Sequence, residues 1–227
     1  MKKKIVTLIV SGAIILSAVA YFAFRPAGQV IANVLPQEMS AGSNTLQYPV
    51  IEDLPDKAVQ DKLNGVIQQE MNQFAENLSK PQYSGRTDYL VQFNKDSILS
   101  IVITESSYAK GAAHPMSYLR AFTMNTRTGQ IYKLADLFKP GQDYATVINT
   151  AIEQQIAERQ VTMLRPFKAI GDNQEFYLTG ENLVVYYQLY EYTPYVYGFP
   201  KFTVPYSQIA GMLNPDVAGA VKLAAKK

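Results

Sequence analysis

Apolar residues recur at three- and four-residue steps after Pro55-Asp56, at Val59, Leu63, Val66, Ile67, Met71, Phe74 and Leu78. That spacing predicts an amphipathic helix with Asp56 at its N-terminus, weakened but not broken by Gly65. A second such helix is predicted over 143–160, with Tyr144, Val147, Ile148, Ala151, Ile152 and Ile156 inward. Elsewhere the period is nearer two, or the run is β-branched. Strands are expected at 46–51, where Pro49 suggests an edge, and at 87–93 and 97–104 around an Asn94-Lys95-Asp96 turn. Hairpins are expected over 116–134, turning at Thr126–Gly129, and over 175–190, turning at Thr179–Asn182. A strand and short helix end the fold over 201–213. The resulting class is α+β: antiparallel sheet or sheets with two long amphipathic helices packed on one face, after an N-terminal membrane helix.

The membrane helix comes from the first 25 residues. Ile5 to Phe24 is an uncharged run of 20 residues, which as a helix rises ~30 Å, the thickness of the hydrocarbon core. Lys2, Lys3 and Lys4 precede it, and Arg25 follows. This bias favours a cytoplasmic N-terminus and a working domain outside the cell membrane. The alternative is secretion after cleavage near Ala20, where small residues suit a signal site. Residues 26–45, rich in Pro, Gly, Ser and Asn, read as a linker. Residues 46–213 form the domain, with a subdivision at 46–113 and 114–213 left open. Residues 214–227 read as a tail, of which the last seven, 221–227, are expected to fray.

Composition narrows the chemistry. With 48% hydrophobic and 18% charged residues, the chain is globular. The formal charge is +2, but with the four N-terminal cations set aside, 17 of the 21 basic residues face 19 acidic ones. A near-neutral body offers no field for phosphates, so no nucleic-acid partner is expected. Cysteine is absent, which excludes disulfides, thiolate catalysis and a lipid-modified cysteine anchor.

His114 is the single histidine, too few for the common zinc motifs, and no Gly-x-Ser-x-Gly elbow accompanies it. It is either a hydrogen-bonded loop residue or a direct binding residue. Glu105, Asp136, Asp172, Glu175 and Glu191 fall near predicted element ends and read as exposed acids, with an acid–base pair as the alternative. No catalytic residue, metal site or cofactor is expected, and the chain is not read as an enzyme. The tyrosines say more. Tyr186 or Tyr187 should pack in the core. Thr193-Pro194 breaks any central strand, which puts Tyr192, Tyr195 and Tyr197 on a loop stiffened by prolines and Gly198. Rigid loop tyrosines suit an interface with a protein or with a sugar, although Tyr195 fits core packing equally well.

Three motifs occur in order: Gly111 to Pro115, Thr128 to Phe138, and Tyr190 to Ser207. Over about residues 46–210 the chain resembles a bacterial extracytoplasmic family of unknown function. That family forms the outer part of the lysozyme-sensing anti-sigma factor RsiV and precedes the catalytic domain of some peptidoglycan deacetylases. The first motif has an extra alanine relative to the Gly-Gly-Ala-His-Pro usual in the family. The resemblance implies an α/β domain whose loops, here Tyr108 to Pro115 and Glu191 to Gly198, engage lysozyme at its active-site cleft. The binding residues implied are Tyr108, His114, Pro115, Glu191, Pro194, Tyr195 and Tyr197. Only Met1 to Lys4 precede Ile5, so no anti-sigma segment and no sigma-factor partner are expected. The leading reading is a membrane-anchored extracytoplasmic module that binds lysozyme or another cell-wall-active protein. Peptidoglycan binding and a cryptic carboxylate hydrolase are the alternatives.

Overall fold

The computed structural model describes residues 31–221; the run Ile5–Phe24 and the cleavage alternative near Ala20 lie outside them. Three antiparallel sheets are present. The first pairs β1 (Asn33–Ala41) with β2 (Asn44–Glu52). The second runs β3 (Tyr83–Lys95), β4 (Ile98–Ala109), β5 (Met116–Asn125). The third runs β6 (Phe176–Leu178), β7 (Asn182–Tyr186), β8 (Lys201–Pro205). Four α-helices lie among the described residues: α1 (Lys57–Leu78), α2 (Tyr144–Glu158), α3 (Tyr206–Ile209) and α4 (Pro215–Ala220).

Both long helices form where the periodicity puts them. Asp56 caps α1 by accepting from Val59 N, and Asp143 caps α2 by accepting from Thr146 N, satisfying amides that have no helical partner. Leu63, Ile67, Met71, Phe74 and Leu78 of α1 are buried. Sequence puts the two helices on one face of one sheet; in the structure they pack in different cores. The α1 stripe meets Tyr48 and Ile51 of β2 and Leu99, Ile101 and Ile103 of β4. Asn64 locks it there, accepting from Ile51 N and donating to Ile51 O, each at 2.8 Å. The α2 stripe, Ile148, Ala151 and Ile152, packs in a separate core with Phe176, Val185 and Phe202 of the third sheet.

The central sheet joins these two cores. On β4, Leu99, Ile101 and Ile103 face α1, while Val102 packs with Leu119, Tyr177, Val184 and Tyr186. A strand covered on both faces needs no polar alternation, which is why its sequence is a β-branched run. Ser100, fully buried, joins layers by accepting from Leu178 N at 3.0 Å and pairing with Thr123 Oγ1 at 2.8 Å. The boundary considered at 113/114 falls in the loop between the paired strands β4 and β5.

Several other expectations need correction. Residues 33–41, read as part of a 26–45 linker, are β1, in unbroken register with β2 from Asn33↔Glu52 to Ala41↔Asn44. Pro36 sits opposite Pro49, so two residues without an N–H share one rung and little of the ladder is lost. The return arm of the 116–134 hairpin shrinks to a single bridge, Met124↔Ile131, before a 3-10 turn at Leu134–Leu137. The 214–227 tail is in part α4, capped by Asn214, with Val217, Ala220 and Val221 buried. The helix was missed because its two core residues are too few to show a period.

Candidate functional site

Tyr108 stands one residue before the end of β4, and its hydroxyl donates to Ala112 O at 3.0 Å and closes the loop that follows. Gly111 turns that loop with φ +91, a value open to glycine. The second loop begins after β7, because Tyr187 no longer pairs in the ladder and instead donates its N–H to Pro200 O. Pro194 then starts a 3-10 turn, Tyr195–Tyr197, closed by Gly198 N donating to Tyr195 O at 2.9 Å. Between them Thr193 is fully buried and anchors the loop.

These two loops, 76 residues apart along the chain, meet through aromatic rings. His114 stacks on Tyr195 with ring centroids 4.0 Å apart. Its Nδ1 lies 2.9 Å from Pro115 O and its Nε2 lies 3.0 Å from Tyr190 Oη. A carbonyl oxygen only accepts, so Nδ1 carries the proton; in the neutral ring Nε2 then accepts from the Tyr190 hydroxyl. Tyr195 Oη donates to the same Pro115 carbonyl at 3.1 Å. Tyr190 completes the set with its ring 5.7 Å from Tyr195. Tyr195 is thus not a core residue, His114 is a hydrogen-bonded loop residue, and each is bonded to the opposite loop.

Beside this stack lies a groove of about 540 Å³, within the usual range for ligand clefts. Tyr108, Pro115 and Tyr195 line it together with Arg86, Ser84, Ser106, Ser107 and Ser117. The lining is rich in hydroxyls because facing strands carry serines in register, with Ser106 Oγ and Ser117 Oγ 2.8 Å apart. Val196 stands at the loop tip, 86% exposed.

Of the seven residues singled out from sequence, Tyr108, His114, Pro115 and Tyr195 converge. Pro194 contributes by starting the turn that presents Tyr195. Glu191 and Tyr197 point elsewhere. The Glu191 carboxylate accepts from Gln188 N at 3.0 Å and pairs with Arg165 at 3.8 Å, so it holds its own loop. Tyr197 donates to Thr162 Oγ1 at 2.9 Å on another side of the loop. Tyr190, not among the seven, belongs to the stack. Its signal was the tyrosine immediately before Glu191, hidden by a hairpin prediction that ran four residues too far.

Of the remaining acids, Asp136 and Asp172 are exposed as expected, and Glu105 and Glu175 are not. Asp136 accepts from Lys133 N as a turn cap. Glu105 sits within β4, not at an element end, and is 2% exposed. Arg120 Nε lies 2.9 Å from Glu70 Oε1 and 3.5 Å from Glu105 Oε2, while Glu105 Oε1 has no hydrogen-bond partner. Burial, then the charge of Glu70, pushes the Glu105 carboxyl up to about 7, against the pull of Arg120. Glu175 is likewise raised by burial, and its carboxylate accepts from Gln188 Nε2 at 2.7 Å and Tyr186 Oη at 3.2 Å.

With this geometry in hand, comparison with known proteins gives two family matches. Residues 135–207 match the model of a family described as protein of unknown function (DUF3298). Residues 38–117 match the model described as deacetylase PdaC. A solved DUF3298 family member from Bacteroides fragilis is 18% identical, with TM-score 0.59, covering 86% of this chain and 98% of its own. A DUF3298 family protein from Pseudomonas aeruginosa is 16% identical, with TM-score 0.57, covering 85% of this chain and 97% of its own. At such identities the likeness is one of fold. No curated protein matches the chain.

Proposed function

We propose that residues 31–221 are a protein-binding module whose recognition surface is the His114–Tyr190–Tyr195 stack with the adjoining groove. The observation that carries this reading is the meeting of two loops through partly exposed rings. A packed core would bury such rings, whereas Tyr190 remains 47% exposed and Val196 projects beyond them. Aromatic anchors beside small hydroxyls are the composition of a binding surface. The rings are already oriented by hydrogen bonds, so little ordering entropy is lost when a partner docks.

The partner class follows from the resemblance of the two loop motifs to those of lysozyme-sensing domains: lysozyme or another cell-wall-active protein. In the same proposal, Ile5–Phe24 tethers the module to the cell membrane with the domain outside. The module binds and does not turn over its partner. Both nitrogens of His114 are engaged within the loops, and Glu191 is engaged by Gln188 and Arg165. That leaves neither free to move a proton. Peptidoglycan is the second reading, favoured by tyrosine faces that stack equally well on sugars.

Calorimetric titration of the full-length chain with a lysozyme tests the proposal. The expected result is saturable binding of micromolar strength or tighter, ~−8 kcal/mol or stronger, weakened at least tenfold by Tyr195→Ala in a folded protein. Absence of heat with folded wild type removes lysozyme and directs the titration to peptidoglycan fragments. Peptidoglycan cleavage that disappears in Glu191→Gln would instead make the protein an enzyme.

A further inference from the structure

A second cavity, of about 470 Å³, opens between the C-terminal half of α1 and the strands β4 and β5. Glu70, Gln73 and Asn77 line it from α1, at a spacing that keeps them on one helical face. Glu105, Tyr118 and Arg120 line it from the sheet; Glu105 and Tyr118 are cross-strand partners, and Arg120 follows on the same face. This wall makes no use of the loop stack, and Ser107 is the residue common to both cavities.

The unpartnered Glu105 oxygen singles the cavity out. A carboxyl oxygen buried without a donor is costly, and the fold keeps one here on a side chain that is 3% exposed. What is missing is a hydrogen-bonding group from a ligand, since Arg120 Nε, close to both carboxylates, is likewise without a hydrogen-bond partner. Charge balance says which kind: Glu70 and Glu105 are matched by Arg120 and by Lys80 at the mouth, so neither a cation nor an anion is called for. The amides of Gln73 and Asn77 each donate and accept. Tyr118 stands 38% exposed with the Arg120 guanidinium 5.4 Å from its ring centroid, and Tyr83 adds a second ring. Carboxyl and amide groups for hydroxyls, with an aromatic face for the C–H side of a ring, are complementary to a sugar.

We propose that this cavity is a separate binding site for a neutral polyhydroxylated ligand, a saccharide residue, held by Glu105, Asn77 and the face of Tyr118. The volume, within the ~300–1,000 Å³ usual for small-ligand clefts, takes one or two such residues.

The test is titration of the full-length chain, in a detergent without a sugar headgroup, with chitotriose and with maltotriose, followed by saturation-transfer NMR. Expected is saturable binding of at least one trisaccharide, weakened tenfold or more by Tyr118→Ala and by Asn77→Ala and unchanged by Tyr195→Ala. Tyr118 is partly exposed, so its variant should fold, and a thermal melt confirms it. The proposal is overturned by no saturable binding of either sugar at low-millimolar concentration to folded wild type, or by binding that Tyr118→Ala spares. Sugar binding lost in Tyr195→Ala assigns the sugar to the loop surface and overturns it as well.

Discussion

Glu105 and Tyr190 both hold positions that a sequence-average residue would avoid. Tyr190 takes φ +64, a left-handed backbone costing a non-glycine residue about 1–2 kcal/mol. The strain is retained where the hydroxyl reaches His114, which makes the residue part of the surface and not a strand terminus. For Glu105 the consequence is linkage. A carboxyl whose folded pKa is raised from 4.5 to about 7 contributes stability that is fully present below about 4.5 and is lost as pH rises through about 7. Its ceiling is on the order of 3 kcal/mol. Glu105→Gln removes the ionisation, so the variant should exceed wild type in denaturant midpoint at pH 8 and match it near pH 4.5. A difference that is constant across this range would show that Glu105 does not titrate there. Glu175, also raised, slopes the same way in both proteins and cancels from the comparison.

Among the elements, β3 is tied most tightly to a single small residue. A Cβ on Gly85 would lie 2.6 Å from Leu78 Cδ1 and 2.9 Å from Ser106 O. The leucine end could give way, but the Ser106 carbonyl is held in β4. Gly85→Ala should therefore destabilise the fold by about 1–3 kcal/mol, as overpacking does, measured as a lower midpoint at unchanged m-value. A neutral effect would mean that α1 and β3 slide apart easily. β1 illustrates the converse: its composition is that of a linker, and its strand exists because β2 supplies a partner for every rung from Asn33 to Ala41. Strand propensity is mostly a matter of what the strand packs against.

Across the whole molecule, the loop surface draws one partner from the β4–β5 connection and the other from the segment after β7, so it exists only when the central and third sheets are docked. His114 and Tyr195 should accordingly behave as a unit. In a double-mutant cycle with His114→Ala and Tyr195→Ala, the stability losses should be non-additive by ~0.5–1.5 kcal/mol, the range for stacked aromatic pairs. Strict additivity would mean that the two loops hold their shapes independently.

The chain's own periodicity determined α1, α2 and the paired strands β3–β4 and β6–β7, because a stripe of apolar residues or a run of β-branched ones has few other ways to be buried. Asp56 and Asp143 marked the helix starts by local chemistry alone. The loop residues His114 and Tyr195 were recognisable as types suited to binding. Their stacking was not, since contact between residues 81 positions apart depends on how sheets dock. For the same reason Glu191 and Tyr197, singled out from sequence beside the residues that converge, turned out to brace the loop from other sides. Tertiary structure alone decided that Glu105 lies buried beside Glu70 and Arg120. A strand's sequence specifies which side chains share a face, but the charge that faces them comes from another part of the chain.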